Sequence, residues 1–330
     1  MKLVDTPDNP VPPGAHVSAI ETSDGLTLRV ARFTPEGPCR GTLLIASGRS
    51  EYIEKYFETI GELLARGLCV VAFDWRGQGL STRELGDRAK GHIDDFSLYF
   101  RDLDAVRAQV LEPHCPKPWY ALGHSMGGAV LLDQAHEARD DGSAPFARIV
   151  LSAPMIAFAR LRFPKLARSM ASVLDSIGLG GAFVPGGGRK TVFDRGFANN
   201  PLTSDERRYN RIRNLLATEP ELALGDPTVA WAHAAFRLMQ RFEDAEYPRR
   251  IRTPVLVLAA QRDSIVDSYA TERFAARLKV GRMILLERSR HEILLEQDDV
   301  RARFWAGFDA FIPGQEGEAE TLLARHGKVA

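Results

Sequence analysis

Cysteine is scarce: Cys39, Cys69 and Cys115 are the three in 330 residues, and no two are spaced as C-x-x-C. That argues against a disulfide framework or a zinc site and fits a reducing compartment. Net charge is lacking too, with 43 basic residues against 43 acidic ones. Without a basic footprint, nothing points to nucleic acid as a partner. No run approaches the roughly 18 apolar residues of a membrane span. The N-terminal MKLVDTPDNPVPPGAH has Asp and Pro where a signal peptide needs an apolar stretch. The expectation is a soluble, cytoplasmic protein. Apolar content of 45% and charged content of 26% are those of an ordinary globular chain.

What the chain does have is an alternation of apolar strands and amphipathic helices. The Pro-rich residues 1–14 read as a loose arm. Residues 16–21 and 26–33 alternate around Ser23-Asp24-Gly25 and read as a hairpin. Apolar runs at 41–47, 68–73, 119–122, 148–152, 254–260 and 282–286 read as strands. Helical patterns follow at 53–66, 95–111, from 128 onward, 269–278 and 300–311. This is the α/β class, a mostly parallel sheet with helices on both faces. Between 155 and 250 the alternation gives way to irregular helices, read as one inserted helical cap. The core is then expected at 15–154 and 251–313, with a polar tail at 314–330.

The densest signal is WYALGHSMGGAVLL, residues 119–132. A buried strand runs into Gly123-His124-Ser125-Met126-Gly127, a match to G-x-S-x-G, and then into a helix. A serine at such a turn is pushed clear of the sheet, and the flanking glycines allow the turn and close strand–helix packing. The helix N-terminus directs free N–H groups at an anion forming beside it.

A serine hydroxyl needs a base, and the base needs an orienting group. In sheets of this kind they follow in the order Ser, Asp/Glu, His, at the carboxyl ends of strands. Asp263 follows the strand at 254–260, and His291 follows the strand at 282–286. Asp267 is the alternative acid but sits better as a helix cap. His124 is the alternative base, disfavoured because a residue adjacent to the serine points away from it. His92 and His233 read as structural or cap-lining. An oxyanion hole would come from the N–H groups of Met126 and Arg49, the latter on the turn Gly48-Arg49-Ser50.

Taken together, these residues resemble the α/β-hydrolase superfamily over roughly residues 22–311. Within it the chain is similar to the serine-aminopeptidase-like branch of monoacylglycerol lipases and lysophospholipase L2-like proteins. The resemblance rests on FDWRGQGLS at 73–81, GHSMGG at 123–128 and RHE at 290–292. Two cap segments, NPLTS at 200–204 and LGDPTVAW at 224–231, lean toward the lysophospholipase side. The resemblance implies hydrolysis of acyl glycerol or lysophospholipid esters without a cofactor or metal. One departure is Ser47-Gly48-Arg49, where lipases of this branch commonly carry His-Gly. Arg49 is thereby also a candidate contact for an anionic head group.

In the cap, Pro164 suits a first helical turn, and Leu166, Met170, Val173, Leu174 and Ile177 form one apolar face. That face is expected to line an acyl pocket, with Leu166, Met170 and Trp231 as candidate substrate contacts. Arg160, Arg162, Lys165 and Arg168 lie beside it. A weak membrane-surface contact stays open but disfavoured, because the run is short and Asp175 interrupts it. Peptidase or amidase and thioesterase chemistry use the same triad and remain alternatives. Dehalogenase and epoxide hydrolase chemistry need a carboxylate where Ser125 stands. A non-catalytic binding protein on this fold is the other class, disfavoured by the intact triad.

Overall fold

A computed structural model describes residues 1–138 and 144–313. Among them, eight strands form one sheet in the order β1-β2-β4-β3-β5-β6-β7-β8. The strands are β1 (Ala15–Glu21), β2 (Thr27–Phe33), β3 (Thr42–Ala46), β4 (Cys69–Phe73), β5 (Trp119–His124), β6 (Arg148–Ser152), β7 (Val255–Ala260) and β8 (Gly281–Leu286). β1 and β2 form the expected hairpin, β2 runs antiparallel to β4, and every later pairing is parallel. The interior strands β3, β4, β5 and β7 are buried along their whole length. Their unbroken apolar runs are what a sheet covered on both faces requires.

The α-helices of eight residues or more among the described residues are α1 (Phe57–Ala65), α2 (Leu98–Val106), α3 (Ser125–Glu137), α4 (Pro164–Leu174), α5 (Glu206–Thr218), α6 (Val229–Glu243), α7 (Ser268–Ala275) and α8 (Asp298–Phe311). Helices α4, α5 and α6 lie between β6 and β7, the stretch read as a cap. The tail at 314–330 lies outside the described residues.

Two ionic struts hold this frame. Arg29 on β2 is fully buried and gives Glu54 two hydrogen bonds, at 2.6 and 2.7 Å, and Asp74 one from Nε at 2.8 Å. Breaking such a buried pair from one side costs about 3–5 kcal/mol, because a charge is left uncompensated. Arg208, on α5, reaches Glu58 on α1, Asp205 at its own N-cap and the Glu296 carbonyl, tying the inserted helices to the core.

The N-terminal arm corrects the expectation of looseness. The Val4 N–H donates to Glu54 Oε1 at 3.0 Å and the Asn9 side chain to the Glu54 carbonyl at 2.9 Å, with both residues buried. Proline-rich composition removed helix and strand propensity, but the buried Glu54 supplies the arm with a dock.

Candidate active site

Strand β5 delivers Ser125 to the first position of α3, with φ at 48°. The flanking glycines are fixed by contact. A Cβ on Gly127 would lie 2.1 Å from the Ala46 carbonyl oxygen, and one on Gly123 2.7 Å from Gly128 Cα. Only hydrogen fits in either place, so helix and sheet close to the distance that raises Ser125 off the strand.

The structure brings Ser125, His291 and Asp263 together. His291 Nε2 lies 3.1 Å from Ser125 Oγ, and His291 Nδ1 lies 2.8 Å from Asp263 Oδ2. Asp263 Oδ1 accepts the N–H groups of Ile265 and Val266 at 2.8 and 3.0 Å. Burial alone would raise the Asp263 pKa, but the His291 charge and these hydrogen bonds outweigh it and hold the carboxyl below its usual range. An ionised Asp263 accepts from Nδ1–H, which leaves Nε2 with the lone pair that can take the serine proton.

The alternatives found elsewhere have other partners. Asp267 Oδ1 caps α7, accepting from Tyr269 and Ala270 N–H. His92 sits by Thr228 and Asp94, and His233 by Asp175. His124 turns away from Ser125 into a charged cluster.

That cluster is the part of the site that sequence reading missed. His124 Nδ1 lies 2.8 Å from Glu51 Oε1, as a contact and not an aligned hydrogen bond, and Nε2 lies 3.3 Å from the His291 carbonyl. Lys55 Nζ bridges Glu51 and Glu292 at 2.5 and 2.6 Å. Tyr56 donates to Glu51 Oε2 at 2.6 Å, and so does the Gly48 N–H. Burial disfavours each charge, yet the opposite charges prevail: Glu51 is held well below its usual range, and His124 is pushed up to about 9. Glu51, His124 and Glu292 have ligand atoms close enough to invite a metal ion. The Lys55 ammonium already stands between the two carboxylates and supplies the cation. The Glu51–Lys55 spacing of four residues and the Glu292 beside His291 were the available signals, but neither announces burial.

Around Ser125 the turn after β3 is braced from behind. Trp75 donates its indole N–H to the Ser47 carbonyl at 2.8 Å, and Gln78 Oε1 accepts the Ser50 N–H at 2.5 Å. This is the work of the FDWRGQGLS segment. No hydrogen bond to the Arg49 N–H forms among the described residues. Met126, second in α3, has an N–H that the helix itself leaves unbonded.

Both serine and histidine open onto a cavity of about 320 Å³. Core residues Arg49, Ser125, Ile265 and His291 form its floor, and the inserted segment supplies Val192, Phe193, Leu202, Leu216, Leu224 and Trp231. Trp231 is therefore at the site. It is placed by Thr228, whose hydroxyl caps α6 by accepting the Trp231 N–H. Leu166 and Met170 are not among the lining residues. They are 65% and 44% exposed, and Phe163, Val173 and Ile177 face outward with them. Only Ala171 of α4 is buried, so the helix turns its apolar face to solvent and, contrary to the expectation for Leu166 and Met170, does not line the cavity.

The NPLTS segment is stitched to the histidine loop. Arg290 donates to the Asn200 and Thr203 carbonyls at 3.0 and 3.1 Å, the Glu292 N–H to the Leu202 carbonyl at 2.9 Å, and the Thr203 hydroxyl to the Leu295 carbonyl at 2.6 Å.

Against known proteins, the family described as serine aminopeptidase, S33, matches residues 37–298. The chain belongs to that family. It is a hydrolase with the α/β-hydrolase fold, as the sequence resemblance implied. Lysophospholipase L2 of Escherichia coli (strain K12) is 31% identical over 295 residues, covering 84% of this chain and 82% of that one. The monoacylglycerol lipase of Mycolicibacterium smegmatis is 33% identical over 124 residues, 38% of this chain and 41% of the other. In fold, the chain is similar to a soluble variant of monoglyceride lipase from Saccharomyces cerevisiae, solved with a substrate analog. That likeness has a TM-score of 0.69 at 20% identity and covers 89% of this chain and 94% of that one. No helix among the described residues is long and apolar enough to cross a membrane.

Proposed function

We propose that the protein is a serine carboxylester hydrolase acting on lysophospholipid or monoacylglycerol-type esters. The observation that carries the reading is the Asp263–His291–Ser125 relay, at 2.8 and 3.1 Å, opening onto a largely apolar cavity. Ser125 Oγ attacks the ester carbonyl carbon while His291 Nε2 takes its proton. The Arg49 and Met126 N–H groups hold the oxyanion of the tetrahedral intermediate. The C–O bond to the alcohol breaks, His291 returns the proton to the leaving oxygen, and an acyl group remains on Ser125. Water repeats the cycle and frees the fatty acid. Asp263 holds the histidine tautomer and stabilises the imidazolium.

An aminopeptidase reading has less support. Capture of a substrate ammonium calls for a carboxylate beside Ser125, but Glu51 and Glu292 are neutralised by His124 and Lys55. That leaves Asp226, bonded to the Gly188 N–H, as the one cavity carboxylate without an ion pair among the described residues.

The outward stripe of α4 supports peripheral contact with an anionic lipid surface. Phe163, Leu166, Met170, Val173 and Ile177 are exposed, with Arg160, Arg162 and Lys165 exposed beside them. An amphipathic helix with a basic border has the chemistry of such a surface.

The test is turnover of a monoacylglycerol, lysophosphatidylcholine and a short p-nitrophenyl ester, with Ser125→Ala as the blank. Turnover of either lipid, lost by roughly a thousandfold or more in the variant, supports the reading. Cleavage of the short ester alone removes the lipid assignment, and activity retained by Ser125→Ala removes the mechanism.

A further inference from the structure

The cavity has a second face whose charges the chemistry at Ser125 leaves unused. Arg49 lies in it. Its Nη2 donates to the Gly225 carbonyl at 2.7 Å and its Nη1 to Ser50 Oγ at 3.0 Å, while the guanidinium carbon sits 5.2 Å from the centre of the Trp231 ring. All of these partners are neutral, and its Nε is buried without any. Burial draws the guanidinium down to about 10 against the smaller opposing pulls of Tyr99 and the Asp226 charge, the response of a cation set deep in the molecule with no ion pair of its own among the described residues.

Lys190 and Arg195 line the same cavity and also a shallow depression over 186–195 that shares Thr191 and Asp226 with it. The depression is thus the cavity's outer vestibule. Both cations are exposed and form no ion pair among the described residues. Of the nearby acids, Asp194 and Asp87 are bonded elsewhere, while Asp226 lines the cavity and its charge also acts on Arg49. Asp194 accepts the Thr191 N–H and hydroxyl at 2.6 and 3.1 Å, and Asp226 the Gly188 N–H at 3.0 Å. Asp87 is held by Arg189 at 3.0 Å.

We propose that Arg49, Lys190 and Arg195 form an anion subsite that receives the phosphate of a phosphate-bearing lysolipid. The apolar arm, with Phe193, Leu202 and Leu216, takes the acyl chain, and Ser125 meets the ester between the two. The proposal rests on the ester-hydrolase reading of the same site and adds the group that selects among its substrates. Arg49 supplies a fixed, desolvated donor. Lys190 and Arg195 supply long, hydrated side chains that can close on an anion already bound, so their share is sensitive to salt.

The experiment compares 1-lauroylglycerol with 1-lauroylglycerol 3-phosphate, which differ by the phosphate alone, on wild type and on the Lys190→Gln/Arg195→Gln double variant. Both substitutions are on exposed side chains. The ratio of kcat/KM, phosphate ester over neutral ester, is expected to fall about tenfold or more in the variant, as loss of a charge-assisted hydrogen bond implies. The fall should lie in KM and shrink as salt is added. Arg49→Gln should lower the same ratio further. Glycerol 3-phosphate should compete with the phosphate ester on wild type and far less on the variant.

A ratio that stays put, with both esters losing equally, overturns the subsite. Inhibition by inorganic phosphate without any preference between the two esters marks a free-anion site and overturns it as well. Failure of wild type to cleave either ester would instead remove the underlying hydrolase reading, so the two failures are distinguishable.

Discussion

Asp263 turns Oδ2 to His291 Nδ1 at 2.8 Å, whereas Asp267, four positions later, spends its carboxylate on the first N–H groups of α7. The two acids are close in sequence and opposite in duty. Asp263→Asn puts an amide where the imidazole needs an acceptor and is expected to lower kcat by roughly ten thousandfold, as a wrong tautomer does. Asp267→Ala is expected to cost about 1 kcal/mol of stability, the worth of a helix cap, with kcat retained. Turnover and urea unfolding on both variants decide the assignment. The reverse pattern would exchange the roles.

His124 predicts an alkaline loss of stability. Its pKa is raised from 6.5 to about 9 by Glu51 and Glu292, against the burial that lowers it. A group raised in the folded state contributes in full below its unfolded value and loses that contribution as pH rises through its folded value. The thermal midpoint of wild type should therefore descend between 6.5 and about 9. In His124→Gln the midpoint should start lower and lack that descent. Parallel curves for the two proteins would show that the cluster does not titrate this way. Activity should follow, because the cluster holds the His291 carbonyl and the Gly48 N–H.

The exposed face of α4 predicts binding to vesicles. Co-sedimentation with phosphatidylglycerol vesicles should weaken with salt and fall at least about tenfold in Leu166→Ser/Val173→Ser, since each apolar side chain contributes on the order of 1.5–3 kcal/mol when buried. Equal binding by the variant would mean that another surface, or none, meets the lipid.

The core of this protein was legible because its signals are local. Each buried strand is a short apolar run, and G-x-S-x-G with Asp263 and His291 after successive strands fixes three positions at the same sheet edge. The misses have a different cause. The spacing of Leu166, Met170 and Val173 declares that α4 has an apolar face, but not what stands opposite it, and the helix instead turns Ala167 and Ala171 inward. Glu51, Lys55 and Glu292 look like ordinary surface charges until the fold buries them against one another. The docking of the arm at 1–14 is nonlocal in the same way, because the Glu54 that accepts the Val4 N–H is a buried partner of Arg29.

The seam between residues 200–204 and the loop bearing His291 makes one side of the inserted segment continuous with the site. With Arg290, Glu292 and Leu295 all bonded to it, the placement of this edge and that of the His291 imidazole are set together. On the opposite margin α4 bonds to Glu243 and the glycine-bearing loop after it to Asp226, and neither is bonded to the loop bearing His291 among the described residues.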